Sequence, residues 1–134
     1  MISHHEALIY TMVLVSAADR KMADIELESM GDMVAHLPVF RDFDRARITK
    51  VGAACARLLA AEDGLDKAFK QIKQALPEKL GETAYALACD IAAADGVVTE
   101  EEARMLQLIR RHLDVGRLPA AAIERGSRAR YLKA

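Results

Sequence analysis

The chain of 134 residues is expected to fold as an all-α, single-domain bundle of about seven helices. Three observations lead there. Apolar residues recur three and four positions apart in every periodic segment, the spacing of a helix face. Only 4% of the residues are aromatic although 52% are hydrophobic, and alanine is abundant where β-branched runs are absent, a composition that favours helix over strand. The connections are short and carry Asp, Gly or Pro. The length is enough for one core without staples, so residues 1–134 are read as one unit.

Ser3 is placed to cap a first helix from about His4 to Ala18, whose Leu8, Ile9, Met12, Val13 and Val15 leave little polar face and predict a central position. After Asp19-Arg20-Lys21, a second helix carries Leu27, Met30, Met33, Val34 and Leu37 and stops at Pro38. A third is expected from Asp42 or Asp44 to about Ala61, with Ile48, Val51, Cys55, Leu58 and Leu59 on one face. Glu62-Asp63-Gly64 turns the chain into a short amphipathic helix that runs to Pro77. A strongly apolar helix from about Glu78 to Ala94 is stopped by Asp95-Gly96. Thr99 opens the next helix, Glu100 to about Leu113, and Pro119 suits the first position of a last helix ending near Arg130.

The chain repeats itself. A shift of 76 positions lays Glu6 on Glu82, Ala17-Ala18-Asp19 on Ala93-Ala94-Asp95, Glu26 on Glu102, and His36-Leu37 on His112-Leu113. Conservative matches fill the gaps, such as Met30 with Leu106 and Met33 with Ile109. The copies, about 6–39 and 82–115, each read as an apolar helix, a turn opening with Asp, and a second helix holding Glu in its first turn. A duplicated helical hairpin is the expectation.

The residues singled out are therefore Asp95, Glu102, Asp19 and Glu26. Two Asp/Glu pairs brought together by pseudo-symmetry could supply the oxygen ligands that Mg²⁺ or Ca²⁺ requires. No EF-hand loop is present. The same residues have a structural reading. Thr99-x-x-Glu102 is a capping box, and Asp95 can accept from amides of its own turn. Asp90, alone in an apolar helix, is expected either to pair with an Arg of another helix or to join the ligands. His36 and His112 lie near helix C-termini, where imidazolium favours the dipole.

The segment Ala93-Ala94-Asp95-Gly96-Val97-Val98-Thr99-Glu100-Glu101-Glu102 resembles the Ala-Asp-Gly…Glu signature of TerB-like domains, named for tellurite resistance. The helical domain that precedes some membrane-anchored DnaJ-type co-chaperones is similar. The resemblance covers nearly the whole chain. It implies a seven-helix fold, no catalytic activity, a role in bacterial stress or toxic-oxyanion resistance, and a divalent-metal site built from the motif acids. The first copy departs from the signature: Arg20 stands where it has Gly, and Arg20-Lys21 puts positive charge beside Asp19. Asp95 and Glu102 are accordingly expected to bind before Asp19 and Glu26.

Composition narrows the function classes further. Cys55 and Cys89 sit in apolar stretches without metal or redox spacing and read as buried, reduced thiols. No signal-peptide pattern opens the chain, and the longest apolar run is too short for a bilayer, so a cytoplasmic protein is expected, with peripheral attachment at the inner membrane as the variant. The net charge is -1, yet Arg104 to Lys133 holds eight bases against Asp114 and Glu124. Such a surface suits an acidic protein, phosphate or anionic lipid. It lacks the interleaved aromatics and groove-reading motifs of nucleic-acid binders, so no nucleic-acid partner is expected. No Ser/His/Asp or Cys/His arrangement, phosphate loop or HExxH pattern is present, and neither an enzyme nor a small-molecule substrate is expected. A protein partner, met in solution or at the membrane, is. The competing reading is a purely structural interaction domain whose motif acids only cap helices.

Overall fold

In the computed structural model, α1 (His4–Ala17) runs through the centre of the molecule. Residues 1–18, 24–94 and 96–134 are described, with backbone alone for 24–28. Ser3 accepts the Glu6 N–H at 3.1 Å while Glu6 accepts the Ser3 N–H at 2.9 Å, a complete capping box. The ten residues from Ala7 to Ser16 are all buried. A helix apolar on every face needs neighbours on every side, and α1 packs against α3 (Ile48–Ala60), α4 (Gly64–Ala75), α5 (Gly81–Ala93) and α6 (Glu100–His112). Thr11 adds no unpaired group to this core, because its hydroxyl donates to the Ala7 carbonyl one turn back at 2.8 Å.

The remaining elements are α2 (Asp24–His36) and α7 (Arg117–Arg130). Among the described residues the fold is therefore seven α-helices with three short 3₁₀ turns and no strand. The expected order and type of every element hold. Three boundaries move, each for a local reason. Asp44 does cap a helical segment, but its carboxylate accepts from Ala46 N–H across a 3₁₀ turn, Arg45–Arg47, and the α-helix starts at Ile48. The stretch expected to open α5 at Glu78 is another 3₁₀ turn, Glu78–Leu80, following Pro77. Pro119 is the third residue of α7 rather than the first, since Gly116 caps the helix in an extended conformation. Proline is tolerated there because the first helical N–H groups have no carbonyl partner to lose.

Two glycines are required by geometry. A side chain on Gly64 would run into the carbonyl oxygens of Leu58 and Leu59, so only glycine lets α4 start this close to the end of α3. Gly96 has φ +87 with open space around its Cα, so its demand is purely conformational.

Helix bounds follow the repeat closely. Moved by 76 positions, the end of α1 at Ala17 falls on the end of α5 at Ala93, and α2 from Asp24 to His36 falls on α6 from Glu100 to His112.

Candidate functional site

The second copy of the acidic motif lies at the head of α6. Thr99, extended at φ -73 and ψ 164, accepts the Glu102 N–H at 3.1 Å, and Glu102 Oε1 accepts the Thr99 N–H at 2.9 Å. The capping box expected from Thr99-x-x-Glu102 is thus formed. Glu6 makes the same box at the head of α1 with 24% of its side chain exposed, whereas Glu102 is only 1% exposed. Carboxylates are almost never so deeply buried unless they are paired. Glu100 and Glu101 share the first turn of α6 but face solvent, where Glu100 pairs with Arg104 at 3.1 Å.

Of the other motif acids, Asp95 and Asp19 lie outside the described residues, and Glu26 is described by its backbone only. Among the described residues, no group of three or more His, Cys, Asp or Glu side chains is arranged to hold a metal ion.

Asp90 takes the first of its two expected roles. Its carboxylate receives Arg130 of α7 at 2.6 Å, with 17% of the Asp90 side chain exposed. The two histidines of the repeat part company. His36 Nδ1 donates to the Asp32 carbonyl at 2.8 Å on the surface of α2. A carbonyl can only accept, which places the proton on that nitrogen. His112 stacks on Phe69 of α4, ring centroids 3.9 Å apart and planes 10° from parallel. That contact joins residues 43 positions apart in sequence, and nothing in the local pattern announces it.

Both thiols are buried and free. Burial in apolar surroundings pushes each of them up to about 12, well above the usual thiol value. Such groups are inert rather than nucleophilic.

A feature absent from the sequence reading is a cavity of about 520 Å³ between α5, α6 and α7, beginning at Gly96 of the motif turn. Inside it, Tyr85 of α5 donates to Glu124 of α7 at 2.5 Å. Burial of the ring, and then that bond, raise the phenol well above its ordinary range. The signal was present as Tyr85, Cys89 and Ala93 at four-residue spacing, but which neighbour they face is a tertiary fact.

No described helix is long and apolar enough to cross a membrane. Compared with known proteins, the chain matches the family model described as Tellurite resistance protein TerB over residues 5–124. Neither a curated protein nor a solved structure matches it.

Proposed function

The chain belongs to the tellurite resistance protein TerB family, and we propose that it is a non-enzymatic module of bacterial stress or toxic-oxyanion resistance. In this reading the duplicated Asp…Glu motif binds a divalent cation, Mg²⁺ or Ca²⁺, and the module docks a protein or membrane-associated partner. The observation that carries this reading is the family match over residues 5–124, which includes the motif acids. Glu102 would hold the ion with Asp95, and Asp19 and Glu26 would serve as the equivalent pair. Arg111, Arg117, Arg125, Arg128 and Lys133 support docking: they are exposed and form no ion pair among the described residues.

The complete capping box favours a second reading, an interaction domain whose acids only cap helices. A thermal melt with millimolar Mg²⁺ or Ca²⁺ separates the two. Ligands at the motif acids predict a rise in Tm, equivalent to about 2.7 kcal/mol at a hundredfold over Kd, and a smaller rise in Asp95→Asn. A melting curve unmoved by either cation, in wild type and variant alike, leaves only the capping reading.

A further inference from the structure

We propose that the cavity between α5, α6 and α7 is a binding site for a small, uncharged amphipathic molecule, with an apolar body and a hydroxyl or carboxamide head. This assignment uses none of the motif acids and stands apart from the cation reading. The volume, about 520 Å³, falls within the roughly 300–1,000 Å³ typical of small-molecule sites.

The cavity has direction. Tyr85 meets Glu124 and Asp90 meets Arg130, so α5 and α7 run the same way side by side. At one end lies the Tyr85–Glu124 pair; at the other, Ala93 and Val98 beside Leu132. Val98 is 48% and Leu132 73% exposed, which makes that end an apolar mouth.

Its walls differ in chemistry. α7 presents Glu124, Ser127 and Arg128, with Tyr131 at its C-cap, spaced three and four apart and therefore on one face. α6 opposes them with Ala103 and Leu106, and adds the carboxamide of Gln107. A molecule that fills the space meets apolar surface at Ala93, Ala103 and Leu106 and polar groups at Glu124, Ser127 and Gln107.

Ser127 indicates that the polar side is built for a ligand. It is 2% exposed, lines the cavity, and its hydroxyl has no hydrogen-bond partner among the described residues. Thr11 in α1 turns its hydroxyl back to a carbonyl one turn earlier; among the described residues Ser16 and Ser127 do not, and of the two only Ser127 lines the cavity. A buried hydroxyl left without that bond is costly, and a ligand head that bonds to it recovers the cost.

Charge selects a neutral head. Glu124 and Arg128 stand one helical turn apart on the same face and form no ion pair with each other. The wall is neutral in sum, and the adjacent Asp90–Arg130 pair is neutral too. An anionic head drawn to Arg128 is repelled by Glu124, and a cationic head meets the reverse. A hydroxyl or carboxamide both donates and accepts, so it satisfies Ser127 and Glu124 together without adding charge.

A series with one body and four heads tests this: octanol, octanamide, octanoate and octylammonium, titrated into the whole chain and followed by alanine-methyl NMR. Octanol and octanamide should give saturable shifts at Ala93 and Ala103, binding roughly tenfold tighter than either ion. Ser127→Ala should weaken them by roughly fivefold while leaving the melting temperature unchanged or higher, since it removes an unpaired buried hydroxyl. Ala103→Leu, at an exposed position of α6, should fill the cavity and abolish binding. No saturable binding, equal or tighter binding of the ions, or wild-type affinity in Ala103→Leu would overturn the proposal. So would a concentration-dependent dimer that Val98→Asp dissolves, which would give the groove to a second copy of the chain.

Discussion

Arg130, in the last turn of α7, reaches Asp90 in the last turn of α5 at 2.6 Å. This contact explains an acid among the apolar residues of the second half of α5. It also fixes the depth at which α7 lies along α5, and with the Tyr85–Glu124 bond it pins the last helix at two points.

A double-mutant cycle on Asp90→Asn and Arg130→Gln should therefore show coupling. Arg130 is 56% exposed, so solvent screening holds the expected coupling to about 0.5–1 kcal/mol, falling as salt rises. Urea denaturation of the four proteins at low and high salt measures it. Additive single effects would mean that the pair contributes nothing.

Two glycines should respond differently to alanine. Gly96→Ala meets no atom but must hold a positive φ, so the expected cost is about 1 kcal/mol. Gly64→Ala drives its Cβ into the Leu58 and Leu59 carbonyls and should cost several times more, because backbone has to move. Denaturation midpoints of the two variants give the comparison, and equal losses would contradict it.

The cap of α6 has a separable energy. Thr99→Ala removes the acceptor for the Glu102 N–H and should cost about 0.5–2 kcal/mol. Glu102→Ala should cost more than Glu6→Ala at the equivalent position of α1, because only Glu102 is fully enclosed. Circular dichroism melts of the three variants test the order.

Stability should fall in alkali for a reason legible in the thiols. Cys55 and Cys89 are raised by burial to about 12 in the fold, against an ordinary thiol value of 9.0. Below the unfolded value both states carry the protons and there is no difference. Above it the unfolded chain loses protons that the native state keeps, so stability declines as pH rises from about 9 through about 12. Urea midpoints at neutral and alkaline pH should show this decline, and it should shrink in Cys55→Ala/Cys89→Ala. Native protein at pH 8 should also resist thiol alkylation until unfolded.

If the repeat is a true duplication, α1–α2 and α5–α6 should superpose, with Asp19 over Asp95 and Glu26 over Glu102. A crystal structure in which those two turns follow unrelated backbone paths would contradict it.

What could be read from the chain was local. Helix periodicity, the capping pairs at Ser3 and Thr99, the stop at Pro38 and the breaks at Gly64 and Gly96 act within a few residues of themselves, so the helices follow from neighbours in sequence. The burial of α1 followed as well, since a segment apolar on every face has only one place to go. The repeat and the family resemblance belong to the same layer. Where the sequence reading missed, the competition was between local geometries of similar energy: 3₁₀ against α before Ile48 and Gly81, and a cap at Gly116 that moved Pro119 inward.

Tertiary structure decided which faces meet. Nothing within one helix tells Asp90 that its partner is Arg130, or His112 that it will lie on Phe69. The depth of Glu102 is of this kind: the capping box is written in four consecutive residues, but its enclosure depends on what packs over the head of α6. The cavity is the extreme case, because a space has no residues of its own. It exists where small side chains at Ala93 and Ala103 face a helix whose Ser127 and Arg128 do not fill the gap. Periodicity assigns each of these residues to a face. Only the packing angles of three helices determine that the faces stand apart.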